Sequence, residues 1–231
     1  IGSVYPDKIT DRFIELFKNK NLMPHLHISL QSCDDTVLKN MRRNYGSSLI
    51  RESLLYAISY QSYRNLIDKY AEEGKSSGPE QTDERIHYTA LNEKRYKRLD
   101  KTIEIPEDKA EFFKKYRRSR TLLVIVETWC ADAAQILPVI NKITELNPKL
   151  NLKIVFRDDN EPLMNLFLTN GGKAIPVVLF LDLQENVLAR WGSRPSTATK
   201  MVEDYKAAHG ALTPEFKEEL QRWYNQDKGA T

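Results

Sequence analysis

Cysteine is scarce in this chain: 231 residues hold two, Cys33 and Cys130, far apart in sequence. Two isolated thiols exclude a disulfide framework of the kind that holds small secreted domains together, and they fit a reducing, cytoplasmic setting. Long apolar runs are missing as well. No stretch approaches the roughly 20 residues that span a bilayer, and the first residues do not read as a signal peptide, so no membrane association is expected. Charge of one sign is also lacking, with 35 Lys and Arg against 32 Asp and Glu. That balance implies neither a nucleic-acid surface nor an acidic partner. The basic residues Lys94, Arg95, Lys97, Arg98 and Lys101, then Lys114, Lys115, Arg117, Arg118 and Arg120, interleave with acids and read as solvated helix faces. Internal repeats are absent. The length allows one domain or two with a sizeable core.

What is there is organised around Leu122 to Pro138, LLVIVETWCADAAQILP. The apolar run Leu122 to Val126 suits a strand buried on both faces, as in sheets covered by helices. Ala133, Ile136, Leu137 and Ile140 then recur at helical spacing. Trp129-Cys130 falls at the junction, which sets the thiol at the first turn of a helix, where unpaired N–H groups and the positive dipole end favour a thiolate. Further strands are expected at 152–156, 174–181 and 186–190, the last two joined by the turn at 182–185. Helices are expected from Pro106 to about Tyr116, over 162–168, over 197–209 and over 213–225. Upstream, residues 48–104 read as a helical connector. Leu55, Ile58, Leu66 and Ile67 recur at helical spacing up to Gly74, and Thr82 caps a helix to about Lys101 with Ile86, Leu91 and Leu99 as its apolar stripe. The tyrosines gathered there (Tyr56, Tyr60, Tyr63, Tyr70, Tyr88, Tyr96) suit packing under the next domain.

W-C ahead of a helix, a buried strand before it and Ile175-Pro176 ahead of another buried strand together resemble the thioredoxin family over roughly 105–210. The longer region 49–231, with L-T-N-G-G and W-G-x-R-P, looks like a subfamily with the variant motif W-C-x-D-A. The resemblance implies a thioredoxin-like α/β fold: a central mixed sheet flanked by helices, here with a helical N-terminal extension and a short βα appendage. It implies Cys130 as the catalytic thiol, in a groove of Trp129, Ala131, Asp132, Ala133, Ile175 and Pro176. It also implies a cis bond at Ile175–Pro176. Two positions depart from the family. Ala133 stands where the second cysteine of C-x-x-C belongs. Val124 stands six residues before Cys130, where many thioredoxins keep a buried acid.

Residues 1–47 make a separate unit. Asp11 to Lys20 reads as a helix, His25 to Leu30 as an alternating strand, and Asp34 onward as a second helix. MPHLHISLQSCDDTVLKNMRRNY, residues 23–45, resembles a late barrel segment of the radical-SAM tRNA methylthiotransferases. Their iron–sulfur cluster needs three thiolates, and the C-x-x-x-C-x-x-C that supplies them is not here. Alternation makes His25 and His27 strand residues rather than metal ligands. This unit reads as a fragment that adds little to the main domain, and its removal is expected to shift thermal stability by only a few degrees.

Without a thiol at 133, a dithiol cycle is closed to this chain; Ala133→Cys is expected to supply it. One reading is single-thiol redox or disulfide exchange through Cys130, with glutathione or a protein thiol or disulfide as partner. The other is a redox-inactive thioredoxin-fold binding module. A tRNA methylthiotransferase remnant is the third. No cofactor and no metal are expected. Asp132 opposes the thiolate that the helix end favours, so Cys130 is expected to be accessible, with only a modest net pKa shift.

Overall fold

The computed structural model describes residues 47–230. The chain divides into two units, Ile1–Tyr45 and Gly46–Thr231. The expected helices and strand before residue 46, with His25, His27 and Cys33, lie outside the described residues.

The second unit is a mixed sheet with helices packed around it. Strand β1 (Arg120–Val126) runs parallel to β2 (Leu150–Phe156) and antiparallel to β3 (Val177–Leu181), which pairs antiparallel with β4 (Val187–Gly192). The order across the sheet is β2-β1-β3-β4. With a neighbour on either side, β1 is fully buried from Leu122 to Val126. An unbroken apolar run is what such a central strand requires. Each of these side chains contributes on the order of 1.5–3 kcal/mol by leaving water.

Helix α5 (Ala131–Glu145) follows β1, and buries Ala133, Ala134, Ile136 and Leu137. The short α6 (Glu161–Asn165) follows β2, and α7 (Ser196–His209) and α8 (Pro214–Asp227) follow β4. Between α6 and β3, Asn170 and Gly171 take positive φ, with Gly171 at 75°. That is the turn that L-T-N-G-G supplies. Among the described residues, no helix is long and apolar enough to cross a membrane.

The N-terminal extension is integral to this unit. It comprises α1 (Ser47–Tyr56), α2 (Tyr60–Glu73), α3 (Asp83–Thr102) and α4 (Glu107–Lys114). The helical spacing over 55–70 is interrupted at residues 57–59. There Ile58 turns extended and exchanges backbone hydrogen bonds with Ile154 of β2, at 2.8 and 2.9 Å. An otherwise open sheet edge is thereby covered. Ser59 then caps α2, its hydroxyl accepting from the Ser62 N–H. Leu55, expected in the buried stripe, is 81% exposed, because the break rotates it away from the face that continues through Tyr60, Tyr63 and Ile67.

Helix α3 departs further from expectation. Its cap at Thr82 is as read, but its buried face is Thr89, Asn92, Tyr96 and Leu99, while Ile86 and Leu91 are only half-buried. Tyr63 and Tyr96 are fully buried and meet edge to face at 5.9 Å between ring centroids. Arg64 bridges α2 to α3 through Asp100 at 2.9 Å.

The polar face of α3 has a purpose. The Asn92 amide donates to the Thr128 carbonyl at 2.8 Å, and the Thr89 and Thr128 hydroxyls pair at 3.0 Å. From the loop between α2 and α3, the Ser77 N–H donates to the Thr128 hydroxyl at 2.9 Å, and the Thr128 N–H donates to the Ser77 hydroxyl at 2.8 Å. Ser77→Ala removes the second bond and the hydroxyl's further bond to Glu127, stranding buried groups. We expect a loss of about 1–3 kcal/mol in chemical denaturation. A loss below about 0.5 kcal/mol would show that water replaces the hydroxyl.

Candidate functional site

The junction between β1 and α5 places the thiol. Backbone pairing ends with Val126, and Glu127, Thr128 and Trp129 lead into Cys130, which is the N-cap of α5 with extended dihedrals (φ −73°, ψ 109°). The Ala133 N–H points at the Cys130 Sγ at 3.5 Å, and the thiol in turn donates to the Ile175 carbonyl at 3.4 Å. The Ile175–Pro176 peptide is cis and leads into β3. Gly192, at the end of β4, lies against this loop. A Cβ there would stand 2.2 Å from the Pro176 carbonyl oxygen, and its φ of 129° suits only glycine.

The residues singled out in the sequence are thus brought together at two places that touch: Trp129 to Ala133 at the start of α5, and Ile175–Pro176 opposite. They are unequally exposed. Cys130, Asp132, Ala133, Ile175 and Pro176 are buried, while Trp129 and Ala131 are half-buried.

The thiol itself departs from expectation. It is 6% exposed rather than accessible, and its pKa is pushed up to about 12 rather than shifted modestly. Burial is the largest cause, and the charge of Asp132 adds to it. The Ala133 N–H and Arg194 pull the other way and lose. A helix end supplies about 0.3–1 kcal/mol to an exposed charge. Holding the thiol neutral up to about 12, against an ordinary value near 8.5, corresponds to about 5 kcal/mol.

Asp132 is buried but not alone. Its Oδ2 lies 2.7 Å from the Arg194 guanidinium, and its Oδ1 accepts from the Tyr224 hydroxyl at 3.0 Å. Burial raises its pKa, against the pull of Arg194 and then Tyr224. Neither partner figured in the reading of the sequence. Arg194 was legible as the cation of W-G-x-R-P, whereas Tyr224 sits in an ordinary amphipathic helix and carried no signal.

A buried acid is present, although not at position 124. Glu127 is fully buried, its carboxylate accepting from the Ser77 hydroxyl and from the Asp158 N–H at 2.8 Å. Burial raises its pKa, with those two bonds opposing. Next to it, Trp129 lies under two guanidinium groups, with the Arg85 and Arg157 carbons 4.6 and 4.9 Å from ring centroids. Such cation–π contacts fix the indole at about 0.5–1 kcal/mol each. Among the described residues, no group of three or more His, Cys, Asp or Glu side chains is placed to hold a metal ion.

The raised thiol pKa has a sign that can be checked. A folded-state value of about 12 against an ordinary thiol near 8.5 means that only the unfolded chain loses this proton between those values. Stability from this group is therefore intact below about pH 8.5 and falls by about 1.4 kcal/mol per pH unit above it. We expect the stability difference between wild type and Cys130→Ala to shift in favour of the variant from pH 8 to 10.5, as read by urea denaturation. A pH-independent difference would place the thiol in contact with water.

The family model described as Thioredoxin matches residues 78–206. The N-terminal region is similar to tRNA-modifying enzymes. It is 42% identical over 54 residues to the threonylcarbamoyladenosine tRNA methylthiotransferase MtaB of Treponema pallidum, covering 23% of this chain and 11% of that protein. It is 43% identical over 54 residues to a putative methylthiotransferase of Helicobacter pylori, covering 23% and 13%. The chain thus spans little more than a tenth of the curated relatives it matches. Among solved structures, a protein of unknown function from Pseudomonas aeruginosa aligns with a TM-score of 0.41 and 21% identity, covering 75% of this chain and 99% of that one. An HIV epitope-scaffold aligns at 0.44 and 20%, covering 75% and 100%. The family match takes in more than half of the sequence, from Gly78 to Lys206 within α7, and the chain belongs to the thioredoxin family.

Proposed function

We propose that this thioredoxin-family chain is a protein-binding module, with Trp129, Ala131 and the Ile175–Pro176 loop as its groove and Cys130 held as a neutral thiol. The observation that carries this is the burial of the thiol against the Ile175 carbonyl, with its pKa pushed up to about 12. At pH 7 such a thiol is roughly one part in 10⁵ thiolate, against about 3% for an ordinary cysteine. Exchange through the closed site is slowed by roughly three orders of magnitude. The partner is an extended protein segment laid beside the rigidly held indole.

A second reading is favoured by a different observation. Cys130 caps a helix, and the Ala133 N–H is aimed at its sulfur. In that reading the Cys130 thiolate attacks a disulfide of glutathione or of a protein. A new S–S bond forms, and the displaced sulfur leaves as a thiolate that takes up a proton. With Ala133 in place of a second thiol, the mixed disulfide persists until an external thiol releases it.

Alkylation separates the two. In a Cys33→Ser background, iodoacetamide at pH 8 should modify folded Cys130 at least about 100-fold more slowly than the urea-unfolded chain. Comparable rates, or a glutathione adduct found by mass spectrometry after brief exposure to glutathione disulfide, would establish the exchange reading. Asp132→Asn removes the like charge and leaves Arg194 beside the thiol. We expect about tenfold faster alkylation from it, at a cost of about 1–3 kcal/mol in stability. Ala133→Cys on its own should leave disulfide reduction at background, because it does not relieve the burial of Cys130.

A further inference from the structure

A chamber of about 290 Å³ lies in the same unit, and neither Cys130 nor the Ile175–Pro176 loop lines it. It is a pit rather than a flat face. The sheet supplies its floor through Leu122, Phe180 and Trp191, and α5 supplies one wall through Ile136 and Ile140. Its other sides come from α3, α4 and the end of α8, through Leu99, Phe113 and Tyr224. Just beyond α8, Gly229 comes so near α5 that a Cβ would stand 2.8 Å from Val139. Ile140, Phe113, Phe180 and Trp191 are only half-buried, so the chamber leaves apolar surface that the fold itself does not cover.

The polar groups around the chamber are already matched. Among the lining side chains, the Gln135 amide donates to Gln221 at 2.9 Å, and the Tyr224 hydroxyl donates to Asp132 at 3.0 Å. The charged pair on its rim, Asp227 and Lys228, is of opposite sign. An adjoining space of about 300 Å³ adds Arg98 and Glu104, again one cation and one anion. Arg98 is bonded there to Asn225 at 2.7 Å. A ligand charge of either sign therefore meets as much like charge as unlike, and gains nothing from the rim.

Concave, mostly apolar spaces of this size take small molecules, and their polar groups decide which. Here the polar groups select against a charge, and the lining rewards hydrocarbon. A dry protein cavity of about 150 Å³ accepts benzene, and twice that volume suits a bicyclic ring system or a chain of roughly eight to ten carbons. We propose that this chamber binds a small neutral apolar molecule, held between α5 and the sheet by shape and hydrocarbon contact alone.

The test uses the full chain and three probes of equal length, namely decanol, decanoate and decylamine, each kept below its micelle concentration. Binding is followed by displacement of the neutral dye N-phenyl-1-naphthylamine and by methyl resonances. We expect saturable one-to-one binding of decanol, at least tenfold tighter than either charged probe, with shifts at Ile136 and Ile140 and none at the exposed Leu55. Decanoate and decylamine should differ from each other by less than about threefold, since the rim charges cancel. Ile140→Phe fills the chamber and should abolish binding of decanol. If that variant melts far below wild type, Ile140→Ala decides instead: it lengthens the chamber and should shift the preference from decanol toward dodecanol at least threefold. Absence of saturable binding, a charged probe as tight as decanol, undiminished binding in well-folded Ile140→Phe, an unchanged chain-length preference in Ile140→Ala, or association of two chains on addition of decanol would overturn the proposal.

Discussion

The loop between β1 and α5 must leave a central strand and enter a buried helix without stranding its polar groups, and the rest of the structure is arranged around meeting that demand. Glu127 and Thr128 are both fully buried. A buried carboxylate or hydroxyl without a partner costs several kcal/mol. Here the partners come from the N-terminal extension: Ser77 for Glu127 and Thr128, and Thr89 and Asn92 for Thr128, with the Tyr63 hydroxyl within 3.3 Å of the Glu127 carbonyl. The helices before the sheet are therefore part of the site. They hold the turn that presents Trp129 and Cys130, and Arg85, from the same α3, lies over the indole.

The same demand is met again on the other side of the cysteine, by the opposite end of the chain. Asp132 is buried in the first turn of α5 and draws Arg194 from the loop after β4 and Tyr224 from α8. An ion pair out of water gains little net energy, but removal of one partner is expensive. The pair thus acts less as a source of stability than as a constraint. It fixes α8 and the loop after β4 to the helix that carries the thiol. It also engages, on Asp132, the Arg194 guanidinium whose charge favours the Cys130 thiolate.

How much of this was legible follows from what each segment buries. Strand β1 and helix α5 were plain, because apolar periodicity reports elements that face the core, and the family resemblance placed Cys130 and Pro176 at the right junctions. The helical extension was legible in outline, and its face only in part, with Ile67 and Leu99 buried as read. Periodicity sought Ile86, Leu91 and Leu55, whereas α3 turns Thr89 and Asn92 inward and α1 leaves Leu55 in water. A helix whose inner face hydrogen-bonds a loop carries no apolar stripe to find. The acid at Glu127 was missed for a related reason. It was sought at a position taken from other family members, while the chain keeps it three residues later, supported by a serine some fifty residues upstream. Long-range polar partnership leaves no local pattern in sequence.

The fate of the thiol shows why local logic failed there too. A cysteine at a helix start invites the conclusion that it is acidic, because N–H groups and the dipole favour the anion. That argument holds for a solvated sulfur. Once the sulfur is packed under the Ile175 carbonyl, with an anion two residues on, the favourable terms remain but are the smaller ones. The Ile175 carbonyl adds its own bias, since it accepts a hydrogen bond from the neutral thiol and can only repel the anion. Position at a helix end therefore favours an activated cysteine without being sufficient for one. What decides here is the burial of the sulfur, with the charge of Asp132 added to it, and the opposing loop sides with the neutral thiol by offering an acceptor.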